Sequence, residues 1–116
     1  MRRSVLIVDD SPGFRVRARR RLQDDGFEVV AEAADGASAV TAARRHRPAV
    51  VLLDVQLPDV SGLTVAEGLA RWTDPPAVVL TSTHDPDDFG ERLERCGALG
   101  FVPKAELSGA RVSALL

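Results

Sequence analysis

Lys104 is the one lysine of this chain, set against fourteen arginines, and it follows an apolar run at residues 99–103. Lysine places a compact charge on a flexible stem, whereas arginine presents a planar fork of donors. A site that needs one cation to reach one phosphoryl or carboxylate oxygen therefore favours lysine. The position of this residue, directly after an apolar run, predicts a charged site at the end of a strand.

Acidic residues follow two other apolar runs in the same way. Residues 5–8 lead into Asp9 and Asp10, and residues 50–53 lead into Asp54. In an open parallel sheet, ligands bind outside the carboxyl ends of the strands. We therefore expect the three carboxylates and the lysine to form a single site.

Three crowded carboxylates repel one another, so without compensation at least one of them would hold its proton. A hard divalent cation relieves this repulsion, and oxygen ligands with room for water suit Mg²⁺. One carboxylate could then act as a nucleophile that forms an aspartyl phosphate, with the metal and the lysine stabilising the phosphoryl charge. A hydroxyl for the remaining oxygen is available in Thr81-Ser82-Thr83, after the fourth apolar run.

The apolar segments of the chain are of two kinds, which alternate. Short runs rich in valine and leucine predict parallel strands buried on both faces; they are Ser4–Val8, Glu28–Ala31, Ala49–Leu53, Ala77–Leu80 and Leu99–Val102. Between them lie amphipathic stretches that predict helices. These are residues 12–25, 36–46, 62 to about 74, 86 to about 97, and 106 to the C-terminus.

Five such β-then-α units with right-handed crossovers predict an α/β, doubly wound (βα)5 fold of the flavodoxin-like type. One domain is expected over residues 1–116, with helices on both faces of a five-stranded parallel sheet. The net charge of −2 gives no general attraction to nucleic acid or membranes. No apolar run reaches the roughly 18 residues that span a bilayer. We therefore expect a cytoplasmic protein without direct nucleic acid contact.

The sequence resembles the receiver domains of bacterial two-component response regulators over essentially its whole length. The resemblance is carried by four motifs in order, each at a predicted strand end. They are Val8-Asp9-Asp10, Leu52-Leu53-Asp54-Val55-Gln56-Leu57-Pro58 with Gly62, Val79-Leu80-Thr81-Ser82, and Gly97-Ala98-Leu99-Gly100-Phe101-Val102-Pro103-Lys104.

The resemblance implies a role for each matching residue. Asp54 would accept the phosphoryl group, Asp10 would bind Mg²⁺ directly and Asp9 would bind it through water. Asp54 and the backbone carbonyl of Gln56 would complete the protein ligands. The phosphodonor would be a histidine kinase or a histidine phosphotransfer protein.

The resemblance also assigns the switch. Thr81 would hydrogen-bond the phosphoryl group, Lys104 would pair with Asp54 and then with the phosphate, and the ring of Phe101 would turn inward on activation. Relatives often have proline after the lysine, in a cis peptide, where this chain has Ala105. The sequence leaves the isomer of the Lys104–Ala105 peptide open.

The predicted function is that of a phosphorylation-dependent signalling switch and not of a turnover enzyme. A hydrolase of the haloacid-dehalogenase type would need a second aspartate at Gln56. The length of 116 residues favours a single-domain regulator that binds an unknown downstream protein or a second copy of itself. The alternative is the receiver half of a helix-turn-helix transcriptional regulator.

Two further features are interpreted conservatively. Arg44, Arg45 and Arg47, like the arginines of residues 15–21, are expected to form solvated helix faces. Trp72, near the end of the third helix, is expected to be a packing residue.

Overall fold

Five parallel strands form the sheet in the computed structural model, which describes residues 3–116. The strands are β1 (Ser4–Val8), β2 (Glu28–Ala33), β3 (Val50–Asp54), β4 (Ala77–Ser82) and β5 (Gly100–Pro103). Their order is β2-β1-β3-β4-β5, so the chain reverses its direction of winding between β1 and β3. The predicted fold class is confirmed, and the switch point where such sheets bind ligands lies between the first and third strands.

Each strand contributes side chains to two separate cores, because successive residues of a strand point to opposite faces of the sheet. Leu6 and Leu53 belong to one core, and Ile7 and Leu52 belong to the other. All five residues of β3 are buried. This double burial explains why the strand runs are continuously apolar and do not alternate with polar residues.

The helices cover both faces of the sheet. They are α1 (Pro12–Asp24), α2 (Gly36–His46), α3 (Gly62–Ala70), α4 (Arg92–Arg95) and α5 (Gly109–Leu115). The second and third helices pack on one core, and the first and fifth pack on the other. No helix within residues 3–116 combines the length and the apolar character needed to cross a bilayer.

The fourth helix differs from the prediction. Instead of one helix from residue 86 to about 97, the chain forms a 3-10 turn at Pro86–Phe89 and then the four-residue α4. Gly90 separates the two segments in a left-handed conformation, with φ of +62°. Since glycine enters this conformation without a steric penalty, it ends the first segment where another residue would continue it.

The last helix also begins later than predicted. Residues 104–106 form a 3-10 turn, and α5 starts at Gly109 after Ser108, whose hydroxyl accepts a hydrogen bond from the N–H of Arg111 at 3.1 Å. Serine at this position satisfies a helix N–H that would otherwise be unpaired.

The third helix also differs from the prediction, because it ends at Ala70, short of Asp74. The Lys104–Ala105 peptide is trans.

Candidate functional site

Three carboxylates meet at the carboxyl ends of two neighbouring strands. Val8 pairs with Leu53, which places Asp9 beside Asp54 at the ends of β1 and β3. Asp9 and Asp54 are buried and Asp10 is exposed. One carboxylate oxygen of each of the three residues lies within 4.8 Å of the others. The predicted acidic cluster is therefore assembled by the fold.

Lys104 reaches this cluster from the end of β5. Its Nζ donates a hydrogen bond to Asp54 Oδ2 at 3.1 Å. The same Nζ lies 2.6 Å from Asp9 Oδ2, but outside the direction of a hydrogen bond, so this contact is an ion pair. The ammonium group also lies 4.6 Å from the centre of the Phe14 ring. This cation–π contact brings the ring of Phe14, on α1, into the site, which the sequence did not predict.

Backbone groups hold the other oxygen of each buried carboxylate. The N–H of Ser11 donates to Asp9 Oδ1 at 2.8 Å, and the N–H of Gln56 donates to Asp54 Oδ1 at 3.0 Å. Both carboxylates consequently present Oδ2 to Lys104. The side chain of Gln56 is exposed, so its backbone is the part of the residue that contacts Asp54.

The pKa of Asp54 is raised above its ordinary value of 3.8, chiefly because the carboxyl group is buried. The hydrogen bond from the Gln56 N–H and the charge of Lys104 oppose this rise, whereas the charge of Asp9 adds to it. Burial acts to lower the pKa of Lys104, but its contacts with Asp9 and Asp54 outweigh burial and raise it. The lysine is therefore charged at neutral pH and only partly compensates the acids.

Thr81 lies beside Asp54 in the sheet, as its register partner on β4. Thr81 is fully buried, and its Oγ1 has no hydrogen-bond partner among residues 3–116. A buried polar atom without a partner costs about 1–3 kcal/mol. The neighbouring Ser82 differs, because its Oγ accepts a hydrogen bond from the His84 N–H at 3.0 Å. The free hydroxyl thus belongs to Thr81.

Phe101 lies in β5, where its register partner is Leu80, directly before Thr81. Its half-buried ring lies 6.4 Å from the ring of Phe89, which in turn lies 6.3 Å from the ring of His84. The sequence predicted Phe101 as a switch residue and assigned no role to His84. It did not indicate the aromatic row that joins them.

The residues present fit a hard divalent cation. The cluster supplies oxygen atoms from three carboxylates, two of which are buried with a single ammonium group between them. Carboxylate and carbonyl oxygens are the ligands that Mg²⁺ takes. Asp9, Asp10 and Asp54 are therefore a suitable ligand set.

Two supporting residues escaped the sequence prediction. Arg15 donates through Nη1 to the Asp9 carbonyl at 2.6 Å and through Nε to Glu32 at 3.1 Å. Asp59 accepts hydrogen bonds from the N–H groups of Gly36 and Ala37 at 2.8 and 3.0 Å. Asp59 thereby ties the loop that follows Asp54 to the start of α2.

Gly62, the last residue of the β3 motif, allows the chain to return closely to the site. A Cβ at this position would collide with the backbone carbonyl of Asp54. The Gly62 N–H donates to the carbonyl of Val55 at 2.7 Å. A glycine is required here because the start of α3 packs directly on the backbone that carries Asp54.

Comparisons with known proteins agree with this geometry. The model of the response regulator receiver domain family matches residues 5–114. The transcriptional regulatory protein KdpE of Mycobacterium tuberculosis is 40% identical over 100 residues, which are 86% of this chain and 43% of KdpE. This chain spans about half or less of the length of the curated relatives that it matches.

Solved structures show the same architecture. The signal receiver domain of the response regulator NarL from Mycobacterium tuberculosis superposes with a TM-score of 0.87 and 33% identity, covering 98% of this chain and 96% of that one. The chemotaxis response regulator CheY4 of Vibrio cholerae has a TM-score of 0.88 and 25% identity, with complete coverage of both chains.

Proposed function

This chain belongs to the response regulator receiver domain family, and on that basis we propose that Asp54 is the residue through which it is phosphorylated. Members of the family serve as signalling switches in two-component systems. The observation that carries the assignment is the placement of Asp54, which is buried at the sheet switch point with Oδ2 3.1 Å from the only lysine. No other carboxylate within residues 3–116 has this hydrogen bond.

In the proposed reaction, an oxygen of Asp54 attacks the phosphorus of a phosphohistidine on a histidine kinase or a histidine phosphotransfer protein. The new P–O bond forms as the P–N bond of the donor breaks, and the electron pair of that bond stays on the imidazole. Lys104 then pairs with one phosphoryl oxygen, and the hydroxyl of Thr81 donates a hydrogen bond to another. Lys104 already contacts Asp54 before the phosphoryl group arrives, and Thr81 is the register partner of Asp54 on the neighbouring strand.

Bound Mg²⁺ would neutralise phosphoryl charge during this transfer. Asp9, Asp10, Asp54 and the carbonyl of Gln56 would hold it. Apart from its own phosphorylation and dephosphorylation, we assign no catalytic activity to the chain. Its place of action is proposed to be the cytoplasm, where phosphohistidine donors of two-component systems are found.

The signal is proposed to pass from Thr81 to Phe101. When Thr81 turns its hydroxyl toward the phosphoryl group, space opens beside Leu80 that the half-buried Phe101 ring can fill. A local change of charge then alters the surface formed by α4, β5 and α5. A downstream protein or a second copy of the chain would bind this surface.

Transcriptional regulation is a second candidate for the output. KdpE is a transcriptional regulatory protein, and this chain matches less than half of its length. In that case the same switch would control a DNA-binding domain, and the receiver itself would not contact DNA.

Phosphorylation can be tested by incubating the protein with MgCl₂ and acetyl phosphate and measuring its intact mass. We expect one phosphoryl adduct per chain, which Asp54→Asn abolishes because an amide is no nucleophile. The matched control is Asp24→Asn, an exposed aspartate on α1. Equal labelling of Asp54→Asn and wild type would contradict the assignment.

A further inference from the structure

A second charged site lies at the opposite edge of the sheet from the carboxylates. Its cavity has a volume of about 530 Å³ and is lined by Arg44, Arg47, Arg71, Trp72, Thr73 and Asp74. We refer to it as the arginine–tryptophan cavity. It lies beside the amino-terminal end of β3, roughly 15 Å along that strand from Asp54. Phosphorylation of Asp54 does not use these residues.

Three arginines converge on this cavity with one acid. Arg44 lies in the last turn of α2, and Arg71 caps the end of α3. Among residues 3–116, none of the three cavity arginines forms a salt bridge. With Asp74, the lining carries a net charge of +2. The helix dipoles favour basic residues at the C-terminal ends of α2 and α3, but they do not explain why three arginines without a salt bridge share one cavity.

Arg47 occupies a position that normally suits glycine. It ends α2 with φ of 45° and ψ of 58°, and it is the only residue other than glycine within residues 3–116 with a positive φ. Its N–H bonds to the carbonyl of Ala43 at 2.9 Å, as the helix stop requires. Glycine would make the same stop without the steric cost. Strain that is kept at such a position points to a use for the side chain.

Trp72 supplies a flat aromatic wall. Its indole ring is half-buried, and the guanidinium carbon of Arg44 lies 5.4 Å from the ring centre. An adjoining cavity of about 230 Å³ shares Trp72 and Arg47 and is lined also by Pro48, Pro75 and Pro76. Trp72 thus borders two cavities, one lined in part by proline rings and the other by three arginines.

We propose that the arginine–tryptophan cavity binds a nucleoside phosphate. The base would stack on Trp72 in the proline-lined part, and the phosphates would be held by Arg44, Arg47 and Arg71. Planar guanidinium groups match phosphate oxygens in pairs, and every nucleobase has a face that can stack on an aromatic ring. The cavity is within the size range of small-molecule sites. This inference is independent of the proposed phosphorylation of Asp54.

Trp72 is the only tryptophan of the chain, so its fluorescence reports on this site alone. The test is a titration of the full chain with ADP in buffer containing EDTA, which prevents binding through a metal at the carboxylates. We expect a saturable fluorescence change. Pyrophosphate lacks the base and adenosine lacks the phosphates, so each should bind at least about tenfold more weakly than ADP.

Arg47→Gly is the decisive variant, since it removes the cation and also relieves the backbone strain. We expect ADP affinity to fall about tenfold or more while the thermal midpoint of unfolding is unchanged or higher. Arg45→Ala is the matched control, because Arg45 is an exposed arginine of the same helix end that does not line either cavity. It should bind ADP as wild type does.

Three results would overturn the proposal. The first is the absence of a saturable change at millimolar ADP, and the second is undiminished ADP binding by Arg47→Gly. The third is a single-stranded oligoribonucleotide that displaces ADP and binds more than about tenfold more tightly, because the cavity would then belong to a nucleic acid surface.

Discussion

Lys104 and Asp54 are joined by a hydrogen bond of 3.1 Å between Nζ and Oδ2, although fifty residues separate them along the chain. The same ammonium group lies 2.6 Å from Asp9 Oδ2. One cation therefore compensates two buried carboxylates, and the pKa of Asp54 stays raised in spite of it. This imbalance of charge makes the site responsive to a metal ion, a proton or a change at the lysine.

Replacing Lys104 by methionine should destabilise the metal-free protein. The substitution keeps an apolar stem but leaves Asp9 and Asp54 buried without a cation. Breaking a buried pair costs about 3–5 kcal/mol, and because the lysine side chain is 16% exposed we expect about 2 kcal/mol in urea unfolding. Equal stability of Lys104→Met and wild type in EDTA would refute this account.

Lys104→Arg should lose less stability than Lys104→Met and should still form the phosphoryl adduct. Its conformational response to the adduct should be weak, because a planar guanidinium fork replaces the compact charge of the ammonium group.

Asp54→Asn should stabilise the metal-free protein at neutral pH. The pKa of Asp54 is raised in the folded state above its ordinary 3.8, so between the two pKa values the folded chain binds more protons than the unfolded chain. Wild-type stability therefore falls as pH rises through that window. Asparagine does not titrate, so its advantage should vanish as the pH drops below about 3.8. Urea unfolding in EDTA at several pH values measures this difference, and an advantage that grows on acidification would contradict it.

Thr81→Val and Ser82→Ala should change stability in opposite directions. Valine keeps the shape of Thr81 but removes a buried hydroxyl that has no partner, which should raise the free energy of unfolding by about 1 kcal/mol. Alanine at Ser82 removes the acceptor of the His84 N–H and should lower it by a similar amount.

The same two variants separate stability from switching. Amide chemical shifts around Phe101, recorded with and without beryllofluoride and Mg²⁺, should remain unchanged in Thr81→Val and change as in wild type in Ser82→Ala. A normal Phe101 response in Thr81→Val would remove Thr81 from the proposed switch.

Asp59→Asn should weaken Mg²⁺ binding although Asp59 is not a ligand. Its carboxylate holds the N–H groups of Gly36 and Ala37, and this anchors the loop that carries the Gln56 carbonyl. Substitutions that disturb the support of a metal ligand typically reduce affinity about tenfold or more. Isothermal titration with MgCl₂ measures the effect, with Asp24→Asn as a charge-matched control. Equal affinities in the two variants would show that the anchor does not serve the metal site.

Most of the fold could be predicted because doubly buried strands have an unmistakable composition. The valine and leucine run of β3 is one example, and the structure begins that strand one residue later than predicted. The prediction of one continuous fourth helix was wrong. Residues 86–97 contain enough helix formers to favour a helix, but Gly90 interrupts them in a left-handed conformation that depends on the local turn. For the last helix, the cap at Ser108 was present in the sequence and outweighs the helix formers before it.

The candidate site was predictable in its charges but not in its supports. Asp9 and Lys104 are recognisable because each directly follows a strand, and Asp54 is recognisable because it ends one. The partners of Asp59 lie more than twenty residues away and are backbone groups, which have no signature in the sequence. Arg15 resembles the other arginines of α1 until its contact with the Asp9 carbonyl is seen.

The solitary lysine has a practical consequence for the chemistry of the whole chain. Lys104 provides the only ε-amino group, so any acylation of a lysine side chain must occur inside the proposed phosphorylation site. Asp9 and Asp54 keep this amine protonated and largely covered, and its acylation therefore requires the pocket to open. The rate at which an amine-reactive reagent modifies the Lys104 side chain therefore measures how often the pocket opens. Lysine acetylation in a cell would, by the same geometry, remove the cation that is proposed to pair with the phosphoryl group.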